Sequence, residues 1–227
     1  MGKNNLNKKA LGGLVFFLVA LGLSLFLPAG TIYYWQAWVY LVLFFVSTTA
    51  ITLYLMKKDP ALLQRRMSVG STAEKEKSQK IIQFIAQFAF LAVLIVPAFD
   101  HRFMWSNVPV YAVIAGEILV VVGLFIVFLV FKENTFTSAT IEVDTNQKVI
   151  STGPYALVRH PMYSGALLML IGTPVALGSW WGLLTFIPIA IVIVWRLLEE
   201  EMFLSKNLAG YTEYCENVRS RLIPGLF

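Results

Sequence analysis

Uncharged stretches alternate with short polar or aromatic punctuation along most of the chain. The first runs from Leu11 to Leu27 and closes at Pro28-Ala29-Gly30; with its flanking residues it reaches the ~20 that cross a hydrocarbon core. Tyr33, Tyr34, Trp35 and Trp38 follow, an aromatic belt of the kind that sits at headgroup level, and a second run extends to Met56. Ile81 to Phe99, Pro109 to Phe131, Met162 to Leu177 and Trp181 to Leu198 continue the series. The pattern predicts about six transmembrane helices, the last two joined as a hairpin by Gly178-Ser179-Trp180-Trp181-Gly182. Beyond Glu201 the chain turns amphipathic, with Tyr211, Tyr214, Val218 and Leu222 at helical spacing before Pro224-Gly225.

Composition agrees with an all-α integral, multi-pass membrane protein. The 227 residues are 58% hydrophobic and 14% charged, with mean hydropathy +0.71, whereas soluble domains carry about 25% charged residues. The net charge of +5 therefore reads as loop charge at a membrane rather than as a nucleic-acid surface. Lys3, Lys8 and Lys9 before the first apolar run imitate a secretory signal, but Leu27-Pro28-Ala29-Gly30 lacks a small-x-small cleavage pattern, so an uncleaved first span is expected. If the N-terminus is cytosolic and six spans alternate, Arg102 is the sole outer member of the 18 Lys and Arg residues. The positive-inside rule then places both termini in the cytosol.

Several features carry little chemistry. One cysteine, Cys215, and two histidines, His101 and His160, exclude an intrachain disulfide and a multi-histidine metal centre. His101 lies in Asp100-His101-Arg102, read as a short outer turn with a solvated histidine. Glu74-Lys75-Glu76-Lys77 reads as a solvated helix end, and Gln83 and Gln87 as a pair of amides on one helix face. Glu117 lies inside the fourth span, either as a functional carboxylate or as a protonated acid bonded to a neighbouring helix. Lys132 to Thr152 is polar, with a turn at Asp144-Thr145-Asn146 and a loose pairing of Ala139–Val143 with Val149-Ile150.

The chemistry concentrates at two cytosol-side stretches. Gly153-Pro154-Tyr155-Ala156-Leu157-Val158-Arg159-His160-Pro161-Met162-Tyr163-Ser164-Gly165 opens the fifth span, and Arg196-Leu197-Leu198-Glu199-Glu200-Glu201 ends the sixth. Pro161 suits the first turn of a helix, whose free amides can receive an anion or a carbonyl oxygen. His160, Tyr155 and Tyr163 add hydrogen-bonding groups and flat faces, and Gly165 permits close approach of a ligand or another helix. Arg196, Glu199 and Glu200 can share one helix face, either as a ligand site or as an ordinary salt bridge ending a membrane helix. Glu201, rotated by roughly 100°, is expected to face water or Lys206.

Together these elements resemble a known family. Gly-Pro-Tyr-x(3)-Arg-His-Pro-x-Tyr-x-Gly, a hydrophobic hairpin, Arg-x(2)-Glu-Glu-Glu and Tyr-x(2)-Tyr-x(3)-Val-x-x-Arg-Leu-Ile-Pro-Gly are similar to the isoprenylcysteine carboxyl methyltransferases and their bacterial relatives, and more distantly to phospholipid methyltransferases. The resemblance covers about Asn134 to Phe227. It implies that S-adenosyl-L-methionine is the cofactor, held by Gln147, Lys148, Val149, Ile150, Tyr155, His160, Pro161, Met162, Tyr163 and Glu200. It also implies that Arg196 contacts the substrate, while a family glutamine falls at Thr140 here. Residues 1–131 would then be four spans with their loops, and 132–227 the cofactor-binding region. The implied activity is methyl transfer to a lipophilic, membrane-borne acceptor, with the active site facing the cytosol at a bacterial cytoplasmic membrane. A carboxylate acceptor needs no general base, whereas an amine acceptor would enlist Glu199 or Glu200. An NADPH-dependent membrane reductase and a non-enzymatic scaffold are the competing readings.

Overall fold

The computed structural model describes residues 3–67, 77–138, 140, 141, 143 and 147–227. Eight α-helices carry these residues: α1 (Lys3–Ala29), α2 (Trp35–Lys58), α3 (Pro60–Arg66), α4 (Lys77–Phe103), α5 (Val110–Glu133), α6 (Pro161–Ala176), α7 (Phe186–Asn207) and α8 (Tyr211–Asn217). Single 3-10 turns occupy Gly153–Ala156 and Trp181–Thr185. Among the described residues there is no strand. Ala139, Glu142 and Asp144-Thr145-Asn146 lie outside those residues, as do Glu74–Glu76, and Lys77 opens α4.

Five helices, α1, α2, α4, α5 and α7, are long and apolar enough to cross a membrane. The sixth apolar element, α6, has 16 residues, which at ~1.5 Å per residue span only about 24 Å. It precedes α7 in sequence as the first arm of the expected hairpin, yet it packs chiefly on α5, while α7 packs chiefly on α4. The reason is a seam of glycines. A Cβ on Gly116 would lie 2.4 Å from the Ala176 amide nitrogen, one on Gly123 2.5 Å from the Gly165 oxygen, and one on Gly172 2.8 Å from the Gly116 oxygen. The two backbones thus run antiparallel in direct contact, the small-residue packing on which membrane helices rely when lipid removes the hydrophobic drive. Gly165, with the alternatives of ligand or helix open to it, meets α5.

The apolar core is built where α1, α2, α4, α5 and α6 converge, around Leu25, Tyr34, Tyr40, Leu94, Val120 and Leu177. A second cluster, at the opposite end of the bundle from Asp100, seats α3, whose Leu62 and Leu63 pack among Leu6, Leu55, Val130 and Phe131. Asp59 caps α3 by accepting the Leu62 amide at 2.9 Å, with Pro60 at the first helical position. That Asp-Pro start signal was present in the basic loop.

The end where α4 meets α5 corrects two sequence expectations. Asp100, His101 and Arg102 are the last turn of α4 rather than a separate turn. His101 stacks on Tyr34, with ring centroids 4.0 Å apart and planes 12° from parallel, because the helix carries it over the aromatic belt. Asp100 is buried and accepts hydrogen bonds from the Ser106 amide (2.7 Å), the Ser106 hydroxyl (2.6 Å) and Ser179. Glu117 is buried beside the glycine seam, and neither of its oxygens has a hydrogen-bond partner among the described residues.

The seam makes a direct prediction. Gly123→Ala forces overpacking that costs about 1–3 kcal/mol and is expected to lower the thermal midpoint in detergent by several degrees. Gly12→Ala, where a Cβ would meet nothing within 4 Å, should leave it unchanged or slightly raised; equal midpoints for the two variants would show that the seam is not tight.

Candidate functional site

The chain between α5 and α6 is folded back by local signals. Gly153 takes φ +58, and a side chain there would collide with Glu133, whose carboxylate accepts from the Thr152 hydroxyl. The Gly153–Ala156 turn therefore sits against the end of α5, and Asn134 donates to the Tyr155 hydroxyl at 3.1 Å. Burial pushes that hydroxyl well above the ordinary tyrosine range, so it stays neutral. Tyr214 of α8 donates to the Tyr155 carbonyl at 2.7 Å, tying the tail to the same turn. Pro161 starts α6 as expected.

Glu201 is the strongest departure from the sequence reading. Its carboxylate is 9% exposed and faces neither water nor Lys206. Oε1 lies 3.1 Å from His160 Nε2 and 3.2 Å from Arg159 Nε, and Oε2 accepts from Arg221 Nε at 2.9 Å. The Arg159 Nε–H is not aimed along a hydrogen bond, so that contact is charge attraction. The backbone repeats the connection: the Arg159 amide donates to the Ser220 carbonyl (2.9 Å) and the His160 amide to the Arg221 carbonyl (3.0 Å). The Ser164 hydroxyl donates to the Leu222 carbonyl at 2.7 Å. Here α7 crosses the start of α6, and the rotation that separates Glu201 from Glu200 turns it into that crossing.

Behind this tie lies a cavity whose empty space, open mouth included, is about 880 Å³. Gln147, Lys148, Val149 and Ile150 form one wall, and Tyr155, His160, Pro161, Met162 and Tyr163 form another. Arg196 and Glu200 close it from α7, Thr140 lines it as well, and Tyr211 and Tyr214 contribute from the tail. Tyr163 links the two charged residues: its hydroxyl accepts from Arg196 Nε at 3.1 Å and donates to Glu200 Oε2 at 2.6 Å.

Glu199 is the one candidate residue turned elsewhere. Its carboxylate accepts from Ser78 (2.7 Å) and Gln79 (2.6 Å) of α4 and from the Trp195 indole (2.9 Å), and it does not line the cavity. The expected common face of Arg196, Glu199 and Glu200 is thus split between two neighbours.

Two further residues border the site without having been singled out. Arg66 donates to the Ser138 carbonyl at 2.8 Å, touches the Met162 sulfur at 3.8 Å and lies 5.2 Å over the Phe131 ring. Burial lowers its pKa from the ordinary arginine value, against the pull of nearby Tyr163 and Glu200. Arg65 lies 5.8 Å over the Phe136 ring, so α3 clamps the 134–138 segment from below. The signal for these residues was the Asp59-Pro60 start of α3; the signal for Gln79 was its place one turn before Gln83 on the same face.

Glu201→Ala would leave Arg159, His160 and Arg221 without their carboxylate, and breaking a buried pair costs about 3–5 kcal/mol. A lowered thermal midpoint and faster proteolysis beyond Asn207 are expected, while Glu213→Ala, on the exposed side of α8, should behave as the unmodified chain. An unchanged cleavage rate in Glu201→Ala would mean the tail is held by other contacts.

Comparison with known proteins gives two findings. Residues 111–210 match the family model described as phospholipid methyltransferase. The chain is also similar to protein-S-isoprenylcysteine O-methyltransferase B of Arabidopsis thaliana, 29% identical over 147 residues, covering 62% of this chain and 68% of that protein. A probable protein-S-isoprenylcysteine O-methyltransferase of Oryza sativa subsp. indica is 28% identical over 201 residues, covering 82% of this chain and 95% of that protein. The resemblance read from the Arg-His-Pro and Arg-x(2)-Glu-Glu-Glu stretches is borne out, and the reductase and scaffold readings find no counterpart in these matches.

Proposed function

With residues 111–210 matched to the phospholipid methyltransferase model and relatives named as isoprenylcysteine methyltransferases, we propose that the protein transfers a methyl group from S-adenosyl-L-methionine to a membrane-borne lipophilic acceptor. The favoured reacting group is a carboxylate, as in a prenylcysteine-like molecule or a lipid acid. The observation that carries this reading is the cavity in which all ten proposed cofactor residues and Arg196 meet. In this reading residues 132–227 hold the cofactor, residues 1–131 embed it in a bacterial cytoplasmic membrane, and the cavity opens to the cytosol with both termini. The side of the cavity follows from the positive-inside distribution, which assigns every Lys and Arg but Arg102 to the inner face.

The donor set suits this cofactor. Glu200 offers a carboxylate to a cationic ligand, Tyr155, Tyr211 and Tyr214 offer aromatic faces and hydroxyls, and residues 147–150 offer main-chain groups. When bound, the cofactor supplies an electrophilic methyl on a sulfonium. The protein's work is alignment and exclusion of water. Arg196 orients the acceptor carboxylate, Tyr163 fixes Arg196 relative to Glu200, and the tail folded over α6 closes the site. A carboxylate is already ionised at neutral pH and yields its methyl ester with no proton to remove.

The family model's own description favours a second reading, an amine-bearing phospholipid as acceptor. Such an amine must shed a proton, and Glu199, one of its two candidate bases, is committed to Ser78, Gln79 and Trp195. The cations at the cavity, Lys148, Arg196 and the Glu201-paired Arg159, with Arg66 behind Met162, also favour an anionic acceptor over a protonated amine.

Calorimetry with S-adenosylhomocysteine on protein in nanodiscs is the test of the cofactor. Micromolar binding, weakened at least tenfold in Glu200→Ala, is expected; no binding by the folded, unmodified chain would end the methyltransferase reading. Arg196→Ala should bind S-adenosylhomocysteine within about twofold of the unmodified chain while losing methyl transfer by roughly 100-fold or more, on the scale of about 3 kcal/mol for a lost charged contact. Equal loss of both would overturn the division of roles between Arg196 and Glu200.

A further inference from the structure

The matched segment begins at residue 111, yet one of the groups that hold Arg196 comes from α4. Gln79 is 2% exposed, in the first turns of that helix. Its Oε1 accepts from Arg196 Nη1 at 2.8 Å, and its Nε2 donates to Glu199 Oε2 at 2.6 Å. Ser78 donates to the same Glu199 oxygen at 2.7 Å, and the Trp195 indole donates to the other at 2.9 Å. These contacts form a directed chain. An ionised carboxylate only accepts and a guanidinium only donates. Between them the Gln79 amide has one satisfactory orientation, nitrogen toward Glu199 and oxygen toward Arg196. Reversed, it would set two acceptors face to face at one end and two donors at the other.

On the other side, Arg196 donates through Nε to Tyr163. The guanidinium is thus gripped at two of its nitrogens by neutral oxygens, one from α4 and one from α6. Neutral grips matter for a residue that must receive an anion. An amide oxygen fixes the guanidinium plane without adding the negative charge that a carboxylate in place of Gln79 would bring. Bidentate recognition of a carboxylate depends on that plane.

We propose that Gln79 is a positioning residue for the acceptor site, setting the guanidinium plane of Arg196, and that Glu199 acts through Gln79 rather than as a proton acceptor. The inference rests on the carboxylate-acceptor reading above. It also means that the residues outside the matched segment help to assemble the site, since α4 carries Gln79 and Ser78.

The test uses the full-length protein in nanodiscs, labelled S-adenosylmethionine, and N-acetyl-S-farnesyl-L-cysteine as the acceptor probe. Gln79→Ala is expected to raise KM for the probe about tenfold and to leave S-adenosylhomocysteine affinity within about twofold. Glu199→Gln keeps an oxygen for the Gln79 amide and should stay within threefold of the unmodified chain, while Glu199→Leu should reproduce Gln79→Ala. The double variant Gln79→Ala/Glu199→Leu should be no worse than either single one, because both break the same chain. Gln79→Glu should lose more than Gln79→Ala by neutralising Arg196. An active protein whose Gln79→Ala variant keeps its KM overturns this inference alone, as does a multiplicative loss in the double variant. A general fall in cofactor affinity would reassign Gln79 to the fold. No methyl transfer to the probe by the unmodified chain would overturn the carboxylate reading, and this inference with it.

Discussion

A single buried carboxylate holds the cavity end of this protein together. Glu201 sits where α7 crosses the start of α6, and taking its charge out of water is costly unless partners compensate it. Arg159 and His160 come from the chain before α6, and Arg221 comes from the tail. The carboxylate therefore joins three segments far apart in sequence, and the backbone pairs of residues 159 and 160 with 220 and 221 complete the join. The cavity wall at His160 and the placement of Tyr211 and Tyr214 over the cavity both depend on it. Serving three partners, Glu201 is a structural charge, which leaves the neighbouring Glu200 as the carboxylate that faces the site.

The membrane interior supports that arrangement without directional chemistry. Apolar surface gains little from meeting apolar surface in lipid, so contact depends on shape. The glycine seam between α5 and α6 fixes one helix pair, the capped α3 fills the end nearest the cavity, and Asp100 with the two serines fixes the turns at the opposite end. The consequence is a fixed arrangement at the cavity end, where Arg196 of α7 lies within hydrogen-bonding distance of both Gln79 of α4 and Tyr163 of α6. The charges that would touch ligands stand at the ends of spans, where water can reach them.

Much of the site was legible because its residues are local. Gly153 to Gly165 contains the turn glycine, the helix-starting proline and the aromatic and histidine side chains in a single run, so their proximity needs no tertiary information. The spans were legible for the same reason, since an apolar run long enough to cross a bilayer is a property of one segment. Even so, α1 begins at Lys3 and α4 ends at Phe103, beyond the apolar runs, because helices continue past the hydrocarbon boundary where polar residues still form them.

Faces were not legible in the same way. Helical period shows that Glu199, Glu200 and Glu201 point in different directions, but not which neighbour each direction meets. The crossing of α7 with α4 sent Glu199 to Ser78 and Gln79, and its crossing with α6 sent Glu201 to His160. His101 likewise became a stacked ring rather than a solvated one because Tyr34 arrives from the connection between α1 and α2. The sequence by itself determined the membrane class, the apolar runs, the charge asymmetry and the Gly153 to Gly165 stretch of the candidate cavity, since each is written in contiguous residues. Only the tertiary structure decided which carboxylate lines the cavity and which ties the fold, because those places are set by the angles at which separate helices cross.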